Sequence, residues 1–324
     1  MSRAAQVTEF GGLESIKIIE RDVPQPGEGE VLVRITTAGF HPLDGLLAAG
    51  AMGPFQAPAP LVLGCNGAGR VESDGATFKT GDRVAIVNNQ MGMVRDGVWA
   101  DHAAVPESVL LKLPDNVDDA TAAGIGISFP TAVIALNMLG LASGSSVLIT
   151  GANGAVGSAA IQLARTKGLV PFAVVRSQDA AAFCTDLGAE GVIDLSQTSI
   201  EEASKGLSQG GFDGCVDPIG GPVGAGALKG IKPGAAQVTV GYSSGFEMPV
   251  FLPDIVNYGR RLLGGNMASA GQDGLRAAEE ETLAGLASGA LRSPVATTVA
   301  LDDVATIGAT KGGTQLGRTL ISVE

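Results

Sequence analysis

The chain is poor in the residues that mark disulfide scaffolds, metal lobes, membrane spans and nucleic-acid surfaces. It has three cysteines, Cys65, Cys184 and Cys215. They are odd in number and far apart, which gives neither a disulfide framework nor the clustered thiolates of a structural zinc lobe. A reducing, cytoplasmic setting is the expectation. No apolar run reaches the roughly 20 residues a bilayer-spanning helix needs, and Met1 to Phe10 has neither an apolar signal core nor an Arg-rich amphipathic pattern. A soluble protein with no membrane partner is expected. Basic residues are outnumbered, 21 against 33 acidic, for a net charge of −12. Such a field repels phosphate backbones, so no nucleic-acid partner is expected and any anionic ligand needs a specific site. Tyrosine is scarce, with Tyr242 and Tyr258 alone, and the single tryptophan, Trp99, reads as packing.

What is present is a globular composition, 45% hydrophobic and 17% charged over 324 residues, enough for two domains or one large α/β unit. Glu30 to Thr36 alternates Val31, Val33 and Ile35 with polar residues, as a strand with one buried face requires. Short runs at Arg83–Val87 and Val109–Leu113 repeat the pattern between Pro/Gly turns, the mark of a β-rich region. From Asp118 the pattern changes. Residues 119–139 have helical spacing with Gly140 as a stop, and strands and helices then alternate. Strands are expected at Val147–Thr150, Leu169–Val175, Gly191–Asp194, Gly214–Asp217 and Gln237–Gly241, with helices at Ala155–Lys167 and Asp179–Leu187. Alternation of this kind means parallel strands joined by crossover helices. A helix near 272–288 and strands at Ala296–Ala300 and Arg318–Val323 complete the expectation.

The most informative stretch is Val147-Leu148-Ile149-Thr150-Gly151-Ala152-Asn153-Gly154-Ala155-Val156-Gly157, a buried strand, a glycine turn and a helix start. That is the context in which a dinucleotide fingerprint works. Gly154 lets the backbone approach a pyrophosphate, Gly157 lets helix and strand pack closely, and the free N–H groups at the helix start face the anion. Ala152 stands at the first glycine position of the usual G-x-G-x-x-G. Ala152, Asn153, Gly154, Ala155, Val156 and Gly157 are therefore the candidate phosphate loop. Arg176 lies about 20 positions further on, where an acidic residue would bind a ribose 2′-hydroxyl. A guanidinium there suits a 2′-phosphate, with Ser177 adding a hydrogen bond, and the expected cofactor is NADPH. Gly241 and Tyr242, at the end of an expected strand, are placed beside the cofactor.

Beyond the loop, Ala38-Gly39-Phe40-His41-Pro42-Leu43-Asp44, Gly81-Asp82-Arg83-Val84 and the motifs between and after them resemble the medium-chain dehydrogenase/reductase superfamily, in its zinc-free quinone oxidoreductase branch. The resemblance is carried by Ala38-Gly39-Phe40-His41-Pro42-Leu43-Asp44, similar to A-G-x-N-P-x-D, and by Leu63-Gly64-Cys65-Asn66-Gly67-Ala68-Gly69-Arg70-Val71-Glu72. Gly81-Asp82-Arg83-Val84, Phe129-Pro130-Thr131-Ala132 and Val216-Asp217-Pro218-Ile219-Gly220-Gly221 follow in the family's order. It implies an α/β fold in which a GroES-like β-rich substrate domain, residues 1–122 completed by 266–324, accompanies a Rossmann NADPH-binding domain, residues 123–265. It further implies that Thr131 packs beside the nicotinamide, that the backbone at Asn266 and Met267 meets its carboxamide, and that the chain forms a homodimer through residues near Gln237–Phe251. His41, Leu46 and Asn66 are placed on the substrate side.

The family's zinc-dependent branch holds its metal on two thiolates and an imidazole. The matching positions here are His41, Cys65 and Ile127, and isoleucine cannot bind a metal, so no metal site is expected. Cys65 reads as a small buried apolar residue. Without a Lewis acid, the reduction of conjugated acceptors is favoured over alcohol chemistry, because the resulting oxyanion or enolate needs hydrogen-bond donors more than a strong acid. The expected reaction is hydride transfer to a small electron-poor partner, a quinone or the C=C bond of an enone or enal. His41 replaces the family's asparagine and either orients substrate, donates a proton, or serves as a loop histidine. Asp44 reads as fixing that loop. Leu46 stands where the quinone oxidoreductases commonly carry a tyrosine, and Ala48 where they carry a base. Two alternatives stay open, a 2-enoyl thioester reductase and a non-catalytic NADPH-binding relative. Arg318 is expected at the surface.

Overall fold

The computed structural model describes residues 1–87, 90–208, 210–309 and 315–323. The chain divides into two compact units, one of Met1–Ile127, Glu279–Gly313 and Arg318–Glu324, the other of Ser128–Ala278 and Thr314–Gly317. Residues 123–127 thus group with the first unit, and 266–278 with the second.

The first unit is β-rich. Its central strand is Glu30–Phe40, whose Val31, Val33 and Ile35 are all buried, as their alternation requires. This strand runs on past Thr36, because its far half is paired antiparallel with the C-terminal strand Arg318–Ser322, Thr319 opposite Phe40. Its other neighbours are Gly67–Val71 and His102–Pro106, and the sheet continues through Arg83–Ile86 to Leu110–Lys112 on one side and to Val295–Ala300 on the other. A second, smaller sheet joins Ile16–Arg21, Ser2–Val7 and Leu61–Val62. Ser2–Val7 escaped pattern reading because it does not alternate, Ala4 and Ala5 both being buried. Trp99 is fully buried in this unit, as the sequence suggested.

The second unit holds a parallel sheet in the order Gly191–Asp194, Val170–Val175, Ser146–Ile149, Phe212–Asp217, Ile231–Thr239 and Arg261–Gly264. Chain order reverses between Ser146–Ile149 and Phe212–Asp217, and ligands of open α/β sheets bind at such a switch, outside the carboxyl ends of the strands. The central strands Ser146–Ile149, Val170–Val175 and Phe212–Asp217 are largely buried along their length, as inner strands of a covered parallel sheet are, whereas Arg261–Gly264 at the edge is mostly exposed. Leu148, Phe172, Ile193, Phe212, Cys215 and Ile231 make the core of one face. The Phe172 and Phe212 rings lie 4.9 Å apart there, and each such buried side chain stabilises by about 1.5–3 kcal/mol. The helix expected over 119–139 is two helices, Asp119–Ala123 and Ser128–Leu139. Ala122 N–H bonds to the Asp118 carbonyl, but Gly124 and Ile125 close tighter turns onto Thr121 and Ala122 and end the first helix.

Candidate active site

The candidate phosphate loop grows out of the buried strand Ser146–Ile149. Thr150 continues it fully buried, and Gly151 then turns the chain at φ 52°, a left-handed conformation that a side chain would strain. Gly154 is the N-cap of the helix Ala155–Thr166, with no side chain of its own to cap it. The N–H groups of 155–157 therefore have no acceptor within the helix and are available to an anion at its positive end. A Cβ at Gly157 would collide with the Gly151 carbonyl oxygen and lie 2.6 Å from Ala152 Cα, so the helix can approach the turn only because that residue is glycine. Ala152, expected among the phosphate contacts, is instead fully buried, and its N–H donates to the Val174 carbonyl. Asn153 is gripped from the end of the chain. Its Nδ2 donates to the Gln315 carbonyl at 2.9 Å, and its own carbonyl accepts the Gly317 N–H at 2.9 Å. Sequence reading missed this brace, since nothing local to either segment signals it.

Arg176 follows directly on Val170–Val175 and is exposed, and no ion pair among the described residues includes it. Ser177 is the N-cap of Gln178–Asp186, its Oγ accepting the Ala180 N–H. Gly241 and Tyr242 follow the strand Ile231–Thr239. Tyr242 is exposed and lies against Phe246, ring centroids 5.2 Å apart. Thr131 is buried near the start of the helix Ser128–Leu139. Asn266 is exposed and caps a short 3-10 turn by accepting the Ser269 N–H, while Met267 is buried behind it. These residues all belong to the second unit. Sequence reading gave no role to Asp217, which is fully buried at the carboxyl end of Phe212–Asp217.

In the first unit, His41 closes the strand Glu30–Phe40 and caps the helix Pro42–Ala48. A reciprocal capping box fixes it. His41 Nδ1 accepts the Leu43 N–H at 3.3 Å, and the His41 N–H donates to Asp44 Oδ2 at 2.7 Å. With Nδ1 an acceptor, the ring proton of the neutral imidazole sits on Nε2, where it forms a hydrogen-bond donor. Burial, and then the nearby Arg318 guanidinium, hold His41 down at about 4. The ring is therefore neutral at physiological pH. Burial pushes the Asp44 carboxyl up to about 7, against hydrogen bonds from the His41 backbone, the Cys65 thiol and the Gly64 and Cys65 backbone. Asp44 thereby ties the His41 loop to the Gly64–Cys65 turn.

Leu46 is half-buried on the same helix. Asn66, expected to face substrate, is only 5% exposed. Its Nδ2 donates to the Ala123 carbonyl, and its amide fills space that a Cβ at Gly39 or Gly126 would need, so its place is that of a brace. Arg318 is also not where it was expected. It is buried with 5% exposure, donates to the Gly124 carbonyl, and is drawn down to about 10 by burial.

The zinc positions of related enzymes do not hold a fitting donor set. Burial, and then the Asp44 charge, push the Cys65 thiol well above its ordinary range, which disfavours the thiolate that a metal requires. His41 Nδ1 is already an acceptor, and Ile127 offers an apolar side chain.

Residues 27–115 match the family of alcohol dehydrogenase GroES-like domains, and residues 155–284 that of zinc-binding dehydrogenases. A putative quinone oxidoreductase, YhfP, of Bacillus subtilis is 33% identical over 252 residues, spanning 76% of this chain and 75% of its own. The acrylyl-CoA reductase AcuI of Ruegeria pomeroyi is 32% identical over 73% of this chain and 72% of its own. The crystal structure of a quinone oxidoreductase from Pseudomonas syringae pv. Tomato superposes over the full length of both chains with a TM-score of 0.88 at 26% identity. A strand order that reverses beside a glycine turn, a β-rich unit built from both chain ends and relatives of this kind lead to one conclusion: the chain belongs to the medium-chain dehydrogenase/reductase superfamily and groups with its quinone oxidoreductases.

Proposed function

We propose that the protein is a zinc-independent, NADPH-dependent reductase that delivers hydride to a quinone or to the C=C bond of an enone or enal. The observation that carries this reading is the uncapped helix start at Ala155–Gly157 together with the exposed Arg176 at the end of the neighbouring strand, which suits a diphosphate on the one and a 2′-phosphate on the other. A bound reduced nicotinamide supplies the hydride. The amides of 155–157 hold the diphosphate, Arg176 takes the additional phosphate, and the Ser177 hydroxyl supports it. In the β-rich unit, His41 offers its Nε2–H to the acceptor's oxygen, where negative charge develops as hydride adds. A neutral imidazole that stays neutral to about pH 4 suits hydrogen-bond stabilisation better than proton release. Asp44 keeps the ring in place through the backbone of His41.

The acrylyl-CoA reductase among the relatives favours a second reading, reduction of a 2-enoyl thioester by the same hydride chemistry. A homodimer is part of the proposal, with one change from the sequence expectation. Gln237 is fully buried and its strand is paired on both sides; of the two sheet edges, Gly191–Asp194 and Arg261–Gly264, the one next to that strand is Arg261–Gly264. Phe246, Phe251, Leu252, Val256, Tyr258 and Leu262 are exposed close to that edge in sequence. Three buried free cysteines fit a reducing compartment such as the cytoplasm. The test is cofactor oxidation, NADPH beside NADH, against 1,4-naphthoquinone, a small enone and crotonyl-CoA. Turnover of the first two with NADPH is expected. A marked preference for the thioester moves the assignment to the second reading. NADPH binding without turnover of any acceptor overturns both.

A further inference from the structure

Asp217 is the last residue of its strand and has no exposed surface. Among the described residues no lysine, arginine or histidine pairs with it. Its two oxygens are instead surrounded by neutral donors. Oδ1 accepts the Thr150 hydroxyl at 2.5 Å, the Gly220 N–H at 3.0 Å and the Ile219 N–H at 3.3 Å. Oδ2 accepts Gln237 Nε2 at 3.0 Å and the Thr239 hydroxyl at 3.1 Å. Every neighbour donates, so the arrangement serves a carboxylate.

A buried carboxylate without a counter-cation is a poor way to gain stability, since an apolar residue of similar size commonly does as well or better. Geometry is what this arrangement supplies. Its donors come from the carboxyl ends of three neighbouring strands. Thr150 immediately precedes Gly151, where the phosphate loop turns. Ile219 and Gly220 form the turn into the helix Gly221–Gly230. Thr239 lies two residues before Gly241 and three before Tyr242. The three segments are also in contact. A Cβ at Gly220 would lie 2.8 Å from the Gly241 carbonyl oxygen, and Gly151 has no room for one beside Ile219. Backbone bonds run the same way, from Thr150 N–H to the Val216 carbonyl and from Val240 N–H to the Asp217 carbonyl.

We infer that Asp217 is a positioning residue for dinucleotide binding, a single buried anchor that sets the register of the phosphate loop, the 219–221 turn and the 239–242 segment together; this rests on the cofactor reading proposed for the same loops. Asp217 touches no ligand in this role. It acts through Thr150 and Thr239, whose hydroxyls are the movable parts of the network.

The experiment is titration of the full-length protein with NADPH, followed by fluorescence, with thermal unfolding of each variant alongside. Asp217→Asn cannot accept all five donors and is expected to weaken binding at least tenfold while the chain still unfolds cooperatively. Thr239→Ser keeps the hydroxyl and is expected to bind like the wild type, whereas the isosteric Thr239→Val loses it and is expected to bind several-fold more weakly. Thr150→Ser and Thr150→Val should divide in the same manner. A residue that merely packs gives the opposite order, valine tolerated and serine costly in melting temperature with affinity unchanged, and that result overturns the inference. If Asp217→Asn does not fold, the two threonine pairs decide. If the wild type itself binds no NADPH, the cofactor reading is what has failed. Binding in the wild type with unchanged affinity in Asp217→Asn overturns the positioning role alone.

Discussion

The indole N–H of Trp99 donates to the carbonyl oxygen of Gly39 at 3.1 Å, two residues before His41. The same ring occupies the space that a Cβ on Gly64 would need, next to Cys65, and Gly64 sits at φ 100°. One buried side chain thus sets the chain direction into both segments that Asp44 then ties together. Trp99→Phe keeps most of the ring and leaves the buried Gly39 carbonyl without its donor. It is expected to destabilise the protein by about 1–3 kcal/mol, measured by urea unfolding. An unchanged midpoint would show that this hydrogen bond does not hold the segment.

The phosphate loop makes a paired prediction about two glycines three residues apart. A Cβ at Gly154 would meet only the Gly151 carbonyl oxygen at 3.3 Å, while one at Gly157 would force the helix off the turn. Gly154→Ala is expected to change the melting temperature little. Gly157→Ala should destabilise by about 1–3 kcal/mol and abolish measurable NADPH binding. Equal behaviour of the two variants in calorimetry would refute the close approach of helix and strand.

His41 gives a pH dependence whose sign follows from its depressed value. The unfolded chain takes up this proton near 6.5 and the folded chain only near 4. The neutral form therefore favours the fold above pH 6.5, and that contribution is lost as pH falls from 6.5 to 4. Asp44 is displaced the other way, to about 7, so its contribution is present below the ordinary carboxylate range and is lost as pH rises toward 7. In the wild type the two slopes oppose each other over pH 4–6.5. His41→Asn removes one of them. Its stability relative to wild type should fall by about 1.4 kcal/mol for each pH unit between 4 and 6.5, read from urea midpoints at stepped pH. Because asparagine also donates, this variant should keep most of its kcat, whereas His41→Ala is expected to lose about 10- to 100-fold. Parallel stability curves for variant and wild type would rule out a depressed His41.

In the proposed function, cofactor choice rests on Arg176. Removing a guanidinium that bonds a phosphate should cost about 1.5–3 kcal/mol, so Arg176→Ala is expected to weaken NADPH by about 10- to 100-fold and to leave NADH nearly unchanged. Equal losses for the two cofactors in fluorescence titrations would return Arg176 to the solvated surface.

Much of the second unit was legible in the sequence because its signals are local. A buried run, a glycine turn and an Ala-rich helix start at 147–157 point to a strand, a loop and a helix without outside help, and the structure has all three. Residues whose roles depend on distant partners were not legible. Asn66 reads as a substrate-side residue until Gly39, Ala123 and Gly126 close around it, and Arg318 reads as a surface cation until its strand pairs with Glu30–Phe40. Ala152 follows the fingerprint by position, but its N–H is taken by Val174 on the neighbouring strand, which only the sheet order reveals. His41 lay between these cases. Its replacement of asparagine was visible, whereas its tautomer depends on a hydrogen bond that needs the helix to exist.

The brace on Asn153 has a consequence for how the protein is made. The partners Asn153 and Gln315 are 162 residues apart, so the nascent second unit leaves the ribosome with its glycine loop unsecured until residue 315 has been translated. A ribosome stalled before residue 315 would therefore carry an otherwise complete parallel sheet whose proposed nucleotide seat still lacks its final strut.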